Sequence, residues 1–517
     1  MRTKPALFVP ALICLLAFNT PLSTTCVMAA DFKAELFGEA SRIDANVITQ
    51  DASTGYVEIN GGAAGLASEP LWDFGDGTVV ESWFPAEHIY APPRSNYIVR
   101  VTGFFTDGAT NWTEVLVRFV PPVISPVPLS AQLAVIIPTN DVTLVSRMPG
   151  YGFSPTLTHF DDSFFSTNLP RAVVEYVLSV AATVQNDLAN SNVFLVDGGF
   201  SQRVLRDPAA GGMYSIWYSS PAAFGSGDYG FQGTPGYSSF FHEMGHNVTL
   251  NFPSGYYYGG KIDGSANAIY SETLAQIFQH ATAYEIINHP GTYGLPADLV
   301  FEIHQSARDS IGVVRRAYED YVSSGTNFFS WNDPVTPGDE TFDTFMTLAY
   351  QFCAHAETAG QGYRLPAQRL MRLLAVFNPD LCQQYDQRHY TPAADQFRAT
   401  LLVTALSYAF QSDLRAEFRA LRFPIDDAVY DQLMGLVAPA PQVTAVAVEG
   451  SDVRVTWTCL TNQSYVVETS ASLSLGGFTN CSPVIAVPAG FSGSITNYLH
   501  SGGALSAQRY YRVRLAS

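Results

Sequence analysis

Basic side chains are scarce in this sequence. Its 517 residues include 27 Lys and Arg against 46 Asp and Glu, which gives a formal net charge of −19. No basic cluster interrupts this negative charge, and a polyanion repels the phosphate backbone of nucleic acids. The charge balance therefore argues against nucleic acid as a partner.

Charged residues of both signs make up only 14% of the chain, whereas apolar residues make up 47%. Such a composition can bury large cores and excludes a disordered chain. The prolines and glycines follow no repeating period, which excludes collagen-like and solenoid architectures. One hydrophobic core rarely grows beyond about 250–300 residues, so two or more domains are expected.

Cysteine is also rare, with six residues and no CxxC pair. This argues against thiolate zinc sites and redox motifs. Two of the six lie in the N-terminal segment described next. The other four fall into two local pairs, Cys353 with Cys382 and Cys459 with Cys481, and in an oxidising compartment each pair is expected to form a disulfide.

Long apolar runs are absent after the N-terminus. There, Ala6–Phe18 is apolar but too short to span a bilayer. It follows Arg2 and Lys4 and precedes the small residues of Val27-Met28-Ala29, a pattern typical of a secretory signal peptide. We therefore predict a signal peptide at residues 1–30 and an exported protein, secreted or periplasmic, with no membrane span.

Two proline-rich stretches divide the rest of the chain, at residues 121–128 and 438–441. Closely spaced prolines remove backbone donors and hold an extended conformation, as in stiff linkers. Three domains are predicted, at residues 31–120, 129–437 and 442–517.

The first domain alternates apolar and polar residues in short runs, which indicates β-strands. Trp72-Asp73-Phe74-Gly75-Asp76-Gly77 is followed by His88-Ile89-Tyr90. We expect Trp72 and Phe74 to face the core while the Asp-Gly pair makes a tight turn; a binding role for the aspartates is the alternative. The motif resembles a PKD domain, which implies an immunoglobulin-like β-sandwich that acts as a spacer or keeps substrate close.

The last domain has the same strand periodicity, for example in Val453–Trp457 and Tyr510–Leu515. It is similar in pattern to the fibronectin-type-III-like modules of exported bacterial proteins, which implies a small β-sandwich. Trp457 is expected in its core rather than on a sugar-binding surface.

The middle domain mixes strands and helices. Val193–Val196 and Met213–Tyr218 read as strands, and Arg171–Leu188 has apolar residues at helical spacing. Helical patterns dominate from residue 235 onward. This segregation predicts an α+β domain rather than a doubly wound sheet.

An HExxH sequence lies in this helical part, from His242 to His246. On a helix the two histidines stand one turn apart on one face, so both imidazoles can bind one ion. Glu243 lies beside them, where it can deprotonate a water molecule. The alternative is a helix with two histidines beside an acid and no metal.

A third protein ligand is expected, because catalytic zinc keeps three protein ligands and one open position. The best candidate is Glu272, since an acid among the apolar residues Ile269, Leu274 and Ile277 needs a partner. Asp263 is the alternative candidate for the third ligand. The other alternative is that Glu272 forms a salt bridge and binds no metal.

An HExxH sequence followed by a glutamate on a second helix is the gluzincin arrangement. The sequence HEMGHN, with this number of residues between His246 and Glu272, is similar to the enhancin-like metallopeptidases. Residues 406–414 and 418–424 resemble the C-terminal helical region of that family. The resemblance implies a zinc peptidase fold with His242, His246 and Glu272 as ligands and Glu243 as general base. It also implies extracellular protein substrates, including O-glycosylated mucins.

The sequence therefore predicts a secreted zinc-dependent endopeptidase. Two alternatives remain: a non-catalytic adhesion or glycan-binding protein on a degenerate fold, and zinc-dependent hydrolysis of another bond. Tyr270, His280 and Tyr350 are candidate donors to the reacting carbonyl. Residues 211–218 are a candidate edge strand for substrate, and Tyr256–Tyr258 a candidate sugar-stacking loop. The oligomeric state is left open.

Overall fold

The computed structural model describes most of the chain after residue 31. The described residues are 32–38, 43–146, 154–166, 168–189, 201–227, 236–250, 268–330, 339–359, 362–375, 391–437, 441–459, 464–471, 478–488, 495–505 and 508–515. The predicted signal peptide and the predicted strand Val193–Val196 lie outside them and stay predictions.

Seven strands between residues 44 and 117 form two antiparallel sheets. They are β1 Asp44–Asp51, β2 Tyr56–Gly62, β3 Leu71–Asp73, β4 Val79–Glu81, β5 Ala86–Ile89, β6 Tyr97–Phe104 and β7 Thr110–Val117. One sheet has the order β1–β2–β5 and the other β4–β3–β6–β7, so β1 and β7 each lie at the end of a sheet. Trp72 and Phe74 are fully buried in the hydrophobic core of this region, as predicted.

The Asp-Gly sequence after β3 forms the predicted tight turn. The backbone N–H of Gly75 donates to Asp73, and that of Thr78 donates to Asp76. Gly75 and Gly77 both have positive φ, at 76° and 93°, a conformation that favours glycine. Both aspartates therefore have a structural explanation in the turn.

Ten helices occur among the described residues, nearly all in the middle of the chain. They are α1 at residues 32–37, α2 Arg171–Leu188, α3 Tyr237–Thr249, α4 Ala268–Asn288, α5 Ala297–Ser324, α6 Asp339–Ala359, α7 Arg364–Ala375, α8 Pro392–Phe410, α9 Arg415–Ala420 and α10 Asp427–Val437. One hydrophobic cluster contains buried residues from every one of them. Phe32 and Leu36 of α1 belong to this cluster, although the sequence assigned them to the first domain.

Short strands accompany these helices, mostly before α3. They are β8 Val135–Ile136, β9 Val142–Thr143, β10 Val145–Ser146, β11 Thr156–Leu157, β12 Gln202–Arg206, β13 Met213–Ile216, β14 Ser219–Ser220 and β15 Ala223–Ser226. The largest sheet has the order β13–β15–β12–β8; β12 runs parallel to both of its neighbours, and β13 is antiparallel to β15. Strands β9 and β11 form one two-stranded ladder, and β10 and β14 another.

The last part of the chain forms two further sheets. Its strands are β16 Val443–Glu449, β17 Asp452–Thr458, β18 Ser464–Ser470, β19 Thr479–Asn480, β20 Ile485–Ala486, β21 Ile495–His500 and β22 Tyr510–Leu515. The first sheet has the order β16–β17–β21, and in the second β18 pairs with β19, β20 and β22. Trp457 is fully buried, which confirms its place in the core. The chain is thus a multidomain protein of mixed α and β structure.

The predicted disulfide between Cys459 and Cys481 is wrong, because both are free thiols in this structure. The Cys481 thiol instead donates a hydrogen bond to the carbonyl oxygen of Val467, at 3.3 Å. Cys353 is a free thiol too, fully buried among the helices, and burial raises its pKa. Its predicted partner, Cys382, lies outside the described residues.

No helix within the described ranges combines the length and apolar character needed to cross a membrane.

Candidate metal centre

Helix α3 carries both histidines of the HExxH sequence. Phe241 and Met244 are fully buried on the same helix and hold it in the core. His242 and His246 are one turn apart, with ring centroids 4.7 Å from each other. The HExxH sequence on a helix therefore places the two imidazoles next to each other, as predicted.

Glu272 on α4 meets both imidazoles. Its Oε2 lies 3.1 Å from Nε2 of His242, its Oε1 lies 3.4 Å from Nε2 of His246, and the two Nε2 atoms are 3.1 Å apart. Ligand atoms held about 2.0–2.1 Å from a tetrahedral zinc ion stand about 3.3 Å from one another. The donor types and their spacing thus fit a tetrahedral metal ion with three protein ligands.

A glycine lets the two ligand helices approach each other. A Cβ atom on Gly245 of α3 would lie 3.0 Å from the Cα of Ala275 and 3.1 Å from its carbonyl oxygen. Both atoms belong to the backbone of α4, which cannot move aside as a flexible side chain can. The absence of a side chain at this position brings Glu272 within reach of the histidines.

Charge and hydrogen bonding shift the acidities of the ligands. Burial alone would lower the pKa of His242, but the hydrogen bond and negative charge of Glu272 raise it to about 9. Burial opposes ionisation of Glu272, but the charges and hydrogen bonds of both histidines hold its pKa well below its usual range. A ligating imidazole must be neutral, so metal binding displaces a proton from His242.

Gln276, one turn after Glu272, orients His242. Its Oε1 lies 3.1 Å from Nδ1 of His242, and its Nε2 lies 3.0 Å from Nε2 of His280. Burial and the charge of His242 lower the pKa of His280 to about 3, so His280 is a neutral acceptor for the Gln276 amide. Nδ1–H of His242 then donates to Gln276, which leaves its Nε2 lone pair for an ion.

Sequence reasoning missed Gln276. The signal was present in the i, i+4, i+8 spacing of Glu272, Gln276 and His280, which places all three along one face of a helix.

Glu243 lies next to the triad and is only 8% exposed. Burial raises its pKa, while the charges of His246 and His242 oppose that rise. Among the described groups of His, Cys, Asp and Glu, the triad of His242, His246 and Glu272 is the one whose ligand atoms converge closely enough for a metal.

A cavity of about 1390 Å³ reaches this centre at His242. His242, Glu243 and Gln276 lie in its wall, together with residues of α5. Arg118 and residues of β1 and β7 also line it. The two sheets at residues 44–117, together with the adjoining Arg118, are called the first β region; this region therefore reaches the candidate site.

The candidate carbonyl donors, the alternative third ligand and the candidate sugar-stacking loop either do not line the cavity or lie outside the described residues. Tyr270 and His280 are fully buried, and Tyr350 stacks on Tyr318 with ring centroids 3.9 Å apart; none of the three candidate donors lines the cavity. Asp263 and Tyr256–Tyr258 lie outside the described residues.

Strand β13 covers most of the predicted edge strand at residues 211–218. It forms the end of its sheet, and Met213 lines the cavity. An extended chain entering the cavity can therefore reach the backbone of this strand.

Comparisons with known proteins place the chain in no family. No family model and no curated protein matches it. One similar solved structure is a mutant of a conserved, functionally unknown protein from Bacillus anthracis str. Ames, with a TM-score of 0.33 and 11% identity. The alignment covers 77% of this chain and 79% of that chain, and a likeness at this level supports no argument about fold or function.

Proposed function

We propose that this protein is a zinc-dependent hydrolase of peptide bonds, with His242, His246 and Glu272 as metal ligands and Glu243 as general base. The observation that carries the proposal is the convergence of three donor side chains from two helices beside a buried glutamate and a large cavity. Two imidazoles and one carboxylate are a ligand set of catalytic zinc, which keeps its fourth position open.

The position and acidity of Glu243 suit a general base. Because burial raises its pKa, it holds a proton closer to neutral pH than an exposed glutamate does. Zinc, when bound, would supply Lewis acidity and make hydroxide available near neutral pH. Glu243 takes the proton of the attacking water and delivers it to the leaving amine nitrogen as the carbon–nitrogen bond breaks.

Two features support a polypeptide as substrate. The cavity exceeds the roughly 300–1,000 Å³ of small-molecule pockets. Strand β13, with Met213 in the cavity wall, offers a sheet edge with which an extended chain can pair. We therefore favour a peptide bond over other hydrolysable bonds.

We also propose the family of this protein, its export from the cell and the types of its two flanking domains. The HEMGHN sequence supports an enhancin-like gluzincin that acts on extracellular proteins, including O-glycosylated ones. The N-terminal pattern supports export. The two antiparallel sheets at residues 44–117 support a PKD-type domain, and those at residues 443–515 support a fibronectin-type-III-like domain.

Replacing Glu243 with Gln separates catalysis from metal binding. We expect zinc-loaded wild-type protein to hydrolyse casein or a mucin-type glycoprotein, and Glu243→Gln to do so about 10²–10⁴-fold more slowly with its zinc retained. His246→Ala should lose both zinc and activity. Zinc is measured by elemental analysis and hydrolysis by mass spectrometry of the products.

The same experiment distinguishes the alternatives. A non-catalytic adhesion or glycan-binding protein predicts no hydrolysis by the wild type, even with zinc bound. Undiminished hydrolysis by Glu243→Gln would falsify the assignment of the general base.

A further inference from the structure

Arg118 faces two carboxylates where the first β region meets helix α5. Its Nη1 lies 2.6 Å from Oδ2 of Asp298, and its Nη2 lies 2.9 Å from Oε1 of Glu302. Asp298 also accepts a hydrogen bond from the neutral amide of Asn96. Within the described residues, Arg118 is the one cation paired with either carboxylate, so the cluster has one negative charge in excess when both acids are ionised.

This excess charge is buried. The side chains of Arg118, Asp298 and Glu302 are 10%, 14% and 4% exposed. Oε2 of Glu302 is buried and has no hydrogen-bond partner within the described part of the chain. Burial raises the pKa of Glu302 to about 7 despite the charge of Arg118. An uncompensated buried carboxylate is costly, so a second cation would stabilise this cluster.

Two members of the cluster line the cavity that reaches His242 of the candidate metal centre. Glu302 and Arg118 line it together with His242 and Glu243. Helix α5 contacts the start of α3, where the backbone N–H of Ser238 donates to Oγ of Ser306 at 2.9 Å. Glu302 is one turn before Ser306 on α5, and His242 is one turn after Ser238 on α3. A peptide bound at His242 therefore needs only a few extended residues to reach the part of α5 that carries Glu302.

We propose that Glu302 determines substrate specificity by receiving a Lys or Arg side chain of an extended polypeptide whose scissile bond lies at the metal centre. The inference rests on the proposed function and adds a substrate class to it. The incoming cation balances the cluster of Arg118, Asp298 and Glu302, and the carboxylate of Glu302 is its acceptor in the cavity wall. The first β region supplies Arg118 and so forms one wall of the specificity site.

Paired peptides test this proposal. Digestion of casein by the zinc-loaded protein, followed by mass spectrometry, identifies a cleaved bond. Two synthetic peptides spanning that bond are then compared, one with Lys and one with Gln within about three residues of it. We expect kcat/KM to be about 10- to 100-fold higher for the Lys peptide. This ratio corresponds to the free energy of one hydrogen bond between charged groups.

Two variants then locate the preference. Glu302→Gln should bring the ratio between the peptides close to one. The control Glu319→Gln lies on the same helix, with a side chain 54% exposed and paired with Arg315, and should leave the ratio unchanged. Zinc content and circular dichroism establish that both variants are folded. A ratio near one in the wild type overturns the inference whatever the variants do.

Binding distinguishes a failure of this inference from a failure of the proposed function. Fluorescence anisotropy measures binding of the labelled peptides to zinc-loaded Glu243→Gln protein; if casein is not cleaved, the Lys and Gln peptides are taken from a casein segment that contains one lysine. Cleavage without a preference for Lys contradicts the specificity site and leaves the peptidase intact. Preferential binding of the Lys peptide without cleavage by the wild type supports the site and contradicts the peptidase. Absence of both binding and cleavage contradicts both.

Discussion

Single side chains at the candidate metal centre obtain their properties from their hydrogen-bond partners. His242 lies between Glu272 and Gln276, and each contacts a different ring nitrogen. A glutamine suits this position because it has an acceptor for His242 and a donor for the neutral His280. The pair of contacts therefore sets the tautomer of His242.

The first prediction concerns Gln276. Gln276→Leu removes the acceptor at Nδ1 of His242, and we expect zinc affinity to fall about 10- to 100-fold because the ring loses its orientation. Competition with a chromophoric chelator measures this affinity. The control Gln276→Glu keeps an acceptor for Nδ1 of His242 but loses the donor to His280, and it should retain more zinc affinity than Gln276→Leu. Equal affinities of the Leu variant and the wild type would show that Gln276 has no positioning role.

Among the elements, the pair of helices α3 and α4 determines whether a centre exists. Each helix contributes candidate ligands that the other cannot supply, and the separation of the two helices is set at Gly245 and Ala275. Burial of apolar residues from both helices in one cluster holds this separation. The geometry of the centre is therefore a property of helix packing as much as of the ligands.

A second prediction follows for Gly245. Gly245→Val places methyl groups against the backbone of α4, and we expect a loss of stability of about 1–3 kcal/mol together with weaker zinc binding. Gly435→Val on α10 is the control, since nothing lies within 4 Å of a Cβ at that position. It should change stability by only a few tenths of a kcal/mol. Urea unfolding followed by circular dichroism, with zinc titration, tests both; zinc binding by Gly245→Val at wild-type strength would contradict the packing argument.

At the scale of the whole molecule, the candidate site lies where the first β region meets the helices. Arg118 of that region pairs with Asp298 and Glu302 of α5, and Arg308 of α5 donates to Thr113 of β7. The cavity is lined from both sides of this junction. The first β region thus contributes to the shape of the site, which a simple spacer would not do.

The third prediction concerns this junction. Arg118→Ala leaves two buried carboxylates without their cation, and we expect a loss of about 3–5 kcal/mol at about pH 8. The loss should be smaller at about pH 5. Glu302, whose pKa is already raised to about 7, is protonated there, and the stability that this proton provides disappears as pH rises through that value.

The matched control is Arg100→Ala. Arg100 pairs with Glu114, but its side chain is 47% exposed, so its loss should cost less than about 1 kcal/mol at either pH. Urea midpoints at the two pH values measure both variants. A loss for Arg118→Ala that does not grow between about pH 5 and about pH 8 would contradict the charge argument.

The spacing of apolar residues along the sequence was sufficient to predict several structural elements and buried residues. The helical spacing of residues 171–188 predicts α2 with the bounds that the structure has. The alternation around Trp72 and Phe74 predicts their burial, and the pattern around Trp457 does the same. The cysteines show the limit of such reasoning, because nearness in sequence did not place Cys459 and Cys481 in a disulfide.

By itself, the sequence determined the two imidazoles one turn apart, because helix periodicity relates residues four positions from each other. It also indicated Glu272 as the candidate for a third ligand. Only the tertiary structure decided that Glu272 reaches the imidazoles, that Gln276 contacts His242, and that Arg118 shares a cavity with His242. These contacts join residues far apart in the chain, and their distances depend on how whole helices and sheets pack.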